Sequence, residues 1–219
     1  VESLARCYSC NNKSVSWKGE KVTRSFKAIL EVVKFSLVDN TRLRWLIIYS
    51  SAMGVATLSM AWFAQPFFKE VGVPLVYFGI LWAGLNFSAG LTSFNAHQFD
   101  RKENKYKMLI YLSLGIITSF ILLGFNSSMF GLVFILVIYL LRGIVTPILR
   151  NAINENTTSN KRATVLSVRS FIIRISFAIC APILGYIAEN YSLANSFYVL
   201  ALVVGVFSLL ASFKLSSLD

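Results

Sequence analysis

Beyond a mixed polar leader, the chain is a succession of long apolar runs separated by short polar breaks. A helix needs about 20 mainly apolar residues to cross the ~30 Å hydrocarbon core of a bilayer. Six runs meet that length, at about residues 45–68, 76–96, 108–125, 129–149, 163–188 and 193–213. Apolar residues cover every face of these runs, whereas the strands of a membrane barrel alternate apolar and polar positions. The pattern predicts an all-α integral membrane protein with six transmembrane helices. It divides the chain into a cytoplasmic linker, 1–43, and a six-helix bundle, 44–219.

Shorter patterns refine this picture. In the linker, Phe26, Ile29, Leu30, Val33 and Leu37 recur at helical spacing, with Arg24, Lys27, Glu31 and Lys34 mostly around the other side. That spacing predicts an amphipathic helix, lying on the membrane surface or packed on the mouth of the bundle. Only Asn126-Ser127-Ser128 joins the third and fourth spans, which must then be antiparallel neighbours. The polar stretch from Asn151 to Arg162 reads as a flexible connector. Gln65-Pro66 reads as the close of the first span, and Pro182 with Gly185 as a bend or close contact in the fifth. Gly79, Ala83, Asn86 and Gly90 form one stripe along the second span, the kind of surface on which helix backbones approach closely.

Composition agrees. Of 219 residues, 56% are hydrophobic and 14% charged, against about a quarter charged in soluble domains. The formal net charge is +11, which in a soluble protein would suggest a nucleic-acid partner. Here the basic residues are sorted by side. The linker, the 100–107 loop, the 150–162 loop and the tail hold nearly all of them, while the opposite loops hold only Lys69. By the positive-inside rule both termini are cytoplasmic, in a cell (inner) membrane protein whose surroundings are the lipid bilayer rather than nucleic acid. The chain starts at Val1 with no signal-peptide pattern, so it reads as a piece of a longer polypeptide.

The remaining basic residues, Arg142, Arg169 and Arg174, lie within spans. An arginine at the membrane centre costs ~2.5 kcal/mol or more, so it needs a partner or a wet cavity. At about 1.5 Å per residue Arg174 is about 16 Å in from Ala163, near the midplane, and Arg169 is shallow enough to snorkel. Their positions are about 140° apart, so on a regular helix they cannot form one joint anion clamp. No Asp or Glu falls inside the six runs, which leaves these arginines without an intramembrane carboxylate and the spans without a proton relay. They read either as structural charges satisfied elsewhere or as contacts for an anionic or amphipathic solute. Trp62, Gln65 and Asn86 are the other candidate contacts, each with a competing reading: an interfacial belt, a prop for the Pro66 backbone, and helix packing.

Other chemistry is thin. The pair Cys7 and Cys10 lacks the second pair or histidines that a zinc site needs. His97 is the one histidine. Phosphate-loop, zinc-protease and serine-hydrolase motifs are absent. No metal, cofactor or enzymatic activity is expected.

In order, the features resemble the C-terminal half, spans seven to twelve, of a major facilitator superfamily transporter, and within it bacterial drug- and metabolite-efflux-like members. The resemblance is carried by Trp62-Phe-Ala-Gln65-Pro66-Phe67, by Tyr77-Phe-Gly79-Ile-Leu-Trp82-Ala83, and by Arg142-Gly143 with Pro147. It continues in Lys161-Arg162-Ala163-Thr164-Val165-Leu166-Ser167, Arg174 and Pro182-Ile-Leu-Gly185. Asp100-Arg101-Lys102 resembles the acidic-basic loop between spans eight and nine, without the glycine of the fuller motif. The resemblance implies a secondary active transporter of a small solute working by alternating access, with a missing N-terminal six-helix half as partner. The first and fourth spans here would line the cavity, making Trp62, Gln65 and Arg142 candidate contacts. The second and fifth, with Asn86 and Arg174, would face the missing half. Asp100, Arg101 and Arg162 become candidate gating residues of the cytoplasmic loops. The alternatives are a half-size carrier that homodimerises, a six-span scaffold or receptor without transport, and an intramembrane enzyme acting on a lipid or lipid-linked substrate.

Overall fold

The computed structural model describes residues 31–96 and 105–218. Six long helices account for most of them: α1 (Thr41–Glu70), α2 (Phe78–Asn95), α3 (Lys105–Phe125), α4 (Gly131–Glu155), α5 (Arg162–Asn190) and α6 (Leu193–Ser216). All six are long and apolar enough to cross a membrane, and the described residues contain no strand. The chain is thus a multi-pass, all-helical protein of membrane character. Cys7, Cys10, Phe26, Ile29, Leu30, His97, Asp100 and Arg101 lie outside the described residues.

Local chemistry sets several helix ends. Asn40 caps α1, its side-chain oxygen accepting from the Leu43 N–H at 3.0 Å. At the other end Gly72 takes a φ of +79°, and the Val73 N–H bonds the Phe68 carbonyl at 2.9 Å. This left-handed glycine cap, not Gln65-Pro66, stops the helix. Pro66 sits inside α1, where it removes one backbone donor and leaves the helix running to Glu70. The expected 151–162 connector is also shorter than its composition suggests. Asn151–Glu155 extend α4, where Asn151 donates to the Glu155 carboxylate at 3.0 Å, and Thr157 folds back onto the Ile153 carbonyl at 2.7 Å.

Ahead of α1 a π-helical turn, Phe35–Asp39, follows one helical turn. Phe35 and Leu37 lean on the bundle core, and the Lys161 ammonium lies 4.5 Å above the Phe35 ring. The described part of the leader is therefore packed on the bundle.

The packing order positions the site. α3 lies along α6, α1 against α4, α5 and α6, and α2 against α4. α1 is the central helix, with Leu43, Leu46, Tyr49, Ala56, Met60, Ala64 and Phe68 fully buried. A buried polar lock ties it to α3. Tyr49 Oη donates to the Leu109 carbonyl at 2.8 Å, with Ser113 Oγ 3.0 Å from the same phenol oxygen. At the far end Phe63, Phe67 and Phe120 surround Phe197, with ring centroids 6.1–6.3 Å away.

α2 and α5 differ from the rest. In the most apolar stretch of each, only 6% of the residues are buried, against 39–56% in the other four. α2 meets α4 through Leu85, Ala89 and Thr92, where Gly143 lets the backbones close and Thr92 Oγ1 donates to the Leu140 carbonyl at 2.9 Å. The small stripe of Gly79, Ala83, Asn86 and Gly90 points the other way and is exposed. A side chain added at Gly79 or Gly90 would meet nothing within 4 Å. The expected packing surface exists, but no helix among the described residues covers it.

Candidate functional site

The site follows from where the three charges in the apolar runs come to rest. A cavity of about 250 Å³ opens between α1, α4 and α5. Its walls are Ser50, Met53, Gly54, Thr57 and Leu58 from α1, and Arg142, Val145, Thr146 and Leu149 from α4. Arg169, Ser170, Ile173 and Arg174 complete it from α5, with Ile116 of α3 behind. Counting about 1.5 Å per residue from Arg162, Arg169 lies about 10 Å and Arg174 about 18 Å along α5. By the same rise Arg142 is about 20 Å from the Glu155 end of α4. The arginines thus form a ladder from one end of the bundle to its middle.

Each arginine is held differently. Arg169 is buried, 9% exposed, and donates from Nε to Ser50 Oγ across the α1–α5 contact. Arg142 rests over the Tyr139 ring, its guanidinium carbon 5.5 Å from the centroid, where the face of the aromatic ring attracts the cation. Arg174 is exposed and has no hydrogen-bond or ion-pair partner among the described residues. Three of the four hydroxyl protons at the site are already used: Thr57 donates to the Gly54 carbonyl at 3.0 Å, Thr146 to the Arg142 carbonyl at 2.8 Å and Ser170 to the Leu166 carbonyl at 3.0 Å. No Asp or Glu is among the lining residues. What remains for a ligand is a set of guanidinium donors in a weakly polar wall.

This corrects the sequence reading of Arg169. Its position and that of Arg174 do diverge around α5, yet the cavity wraps that helix between α1 and α4, and two long side chains reach it from either flank. Nor does Arg169 snorkel, because Ser50 engages it inside the bundle. Nothing in the sequence names Ser50 as its partner, since the α1–α5 contact is a tertiary fact.

The other sequence candidates lie elsewhere. Trp62, 69% exposed, and Gln65, also exposed, continue the α1 stripe of Gly54 and Leu58 one and two turns beyond the cavity. Asn86 is exposed on α2, donating to its own helix at the Trp82 carbonyl, 2.9 Å away. Arg162 opens α5 and donates from Nε to the Asn154 carbonyl at 3.1 Å, clipping the end of α4 to the start of α5. Among the described residues no group of three His, Cys, Asp or Glu is placed to hold a metal ion.

Compared with protein-family models, with curated proteins and with solved structures, the chain matches none.

Proposed function

We propose that this chain is one six-helix half of a secondary active transporter of a small solute, of the major facilitator type. The observation that carries the reading is the conjunction of two features. α2 and α5 are apolar helices with open faces, and a charged cavity reaches mid-depth beside one of them. Open faces of this kind suit a second six-helix unit, and a polar cavity at the midplane next to that seam suits alternating access around a central site. In this scheme α1 and α4 line the pathway, with Arg142 at mid-depth and Trp62 and Gln65 further along. Asn86 and Arg174 face the other half. Asp100, Arg101 and Arg162 belong to the loops that open and close on the cytoplasmic side, where both termini lie. The membrane is the cell (inner) membrane.

The exposed small stripe on α2 also suits a second copy of this chain, giving a homodimeric carrier, and the experiment that closes the Discussion separates the two. Transport itself is tested by reconstituting the natural full polypeptide in liposomes and measuring exchange of anionic, neutral and cationic solutes. The proposal expects faster exchange of at least one class than in protein-free vesicles. A folded protein that exchanges none of them would favour the scaffold or receptor reading.

A further inference from the structure

The arginine cavity carries an inference about what is bound. Three permanent positive charges line about 250 Å³ with no carboxylate among them. The charge of Arg150, the residue next after Leu149 on α4, also acts on Arg169. Like charges gathered in a low-dielectric setting repel and are costly unless a counter-charge joins them. A cationic ligand would add to the repulsion. A neutral one would leave the guanidinium donors short of strong acceptors.

The donor chemistry narrows the counter-charge. A guanidinium presents parallel N–H groups matched to the two oxygens of a carboxylate or phosphate. Arg174 has all of its donors unengaged by described residues, and Arg142 is supported from behind by the Tyr139 ring. Arg169 is braced by Ser50 and adds charge from a fixed position. The space is below the ~300–1,000 Å³ of sites for drug-sized ligands. It fits a small anion, or the anionic end of a longer one. The lining side chains Met53, Leu58, Val145 and Ile173 are apolar and suit an organic body.

We infer that this cavity binds the oxyanion group, carboxylate or phosphate, of a small organic anion. Arg142 and Arg174 are the contacts, and Arg169, held by Ser50, is the positioning charge behind them. As a statement about the solute carried, this rests on the transport reading. Binding is measured independently of flux.

The test is arginine footprinting on the natural full polypeptide in neutral detergent. Phenylglyoxal modifies exposed guanidinium groups, and mass spectrometry reads the rate at each arginine. The probes are benzoate and phenylphosphonate, with benzamide as the neutral isostere. Millimolar benzoate or phenylphosphonate is expected to slow modification of Arg142 and Arg174 several-fold, and benzamide to leave it unchanged. Arg174→Gln, at a position that is exposed and engaged by no described residue, is expected to weaken protection of Arg142 about tenfold, the loss of one charge-assisted contact. Lys69→Gln, at the opposite end of α1, is expected to leave protection intact. Equal protection by benzamide, or none by either anion, overturns the inference. Protection that appears only with phosphatidylglycerol, and that soluble anions do not displace, makes a lipid headgroup the occupant and also overturns it. Anion protection without any solute flux removes the transport reading while the binding site stands. Flux of a neutral or cationic solute without anion protection does the reverse.

Discussion

Replacing Gly143 by alanine tests the helix contact that holds α2 in place beside the open face. A Cβ at Gly143 would stand 3.0 Å from the Ala89 carbonyl carbon, and still nearer its oxygen and Thr92 Oγ1. Ordinary carbon–carbon contact is about 3.5–4.0 Å, so α2 has to retreat by something on the order of 1 Å. The obstacle is backbone, which cannot rotate aside as a side chain can. Overpacking of this kind costs about 1–3 kcal/mol. The retreat also stretches the 2.9 Å bond from Thr92 to the Leu140 carbonyl, worth about 0.6 kcal/mol between membrane helices. Alanine's better helix propensity returns up to about 1 kcal/mol. Gly84→Ala supplies the control, because a side chain there meets nothing within 4 Å and keeps the propensity gain alone. Reversible unfolding of both variants in mixed micelles should therefore place Gly143→Ala about 2–4 kcal/mol below Gly84→Ala, the sum of the packing and hydrogen-bond costs. If the two agree within about 0.5 kcal/mol, the ordinary spread for neutral surface changes, the close α2–α4 approach is not what holds that contact.

Three further substitutions probe separate links. Tyr49→Phe removes the donor to the Leu109 carbonyl but leaves Ser113 donating to the same oxygen at 2.9 Å; the expected loss is about 1 kcal/mol in the same unfolding assay, and no loss would deny the lock between α1 and α3. Gly72→Ala forces a left-handed alanine at φ +79° and is expected to cost about 1–2 kcal/mol, whereas Gly72→Asn should be much milder; equal behaviour would mean the cap does not end α1. Ser50→Ala leaves the Arg169 guanidinium without its oxygen, with an expected cost of about 1–3 kcal/mol and a faster reaction of Arg169 with phenylglyoxal, so an unchanged rate would contradict the brace.

The six spans were legible because crossing a bilayer imposes a length and a composition that any single segment displays by itself. Their ends were less so. Pro66 looks like a stop in sequence, yet removing one donor does not outweigh the rest of the ladder, and the stop is set by Gly72 two residues after Glu70. The asparagines after Arg150 look like a loop, but as side chains at the end of α4 they bond locally and extend it. At the site, Arg142 and Arg174 stood out as charges in apolar runs. Arg169 was misjudged because its placement depends on Ser50, 119 residues away on a neighbouring helix. The glycine stripe of α2 was recognised as a contact surface, whereas the contact α2 makes inside this chain uses Ala89 and Thr92 against Gly143.

The central claim, that the open faces of α2 and α5 receive another six-helix unit, is tested most directly by photo-crosslinking. A photoreactive residue replaces Ala83 on α2 or Ala178 on α5, both exposed, in the natural polypeptide in native membranes, and the adducts are sequenced. The account predicts crosslinks from both positions to apolar helices that are not among these 219 residues. Crosslinks to a second copy of the same helices would replace the two-half carrier with a homodimer. Adducts to lipid alone from both positions would contradict the account.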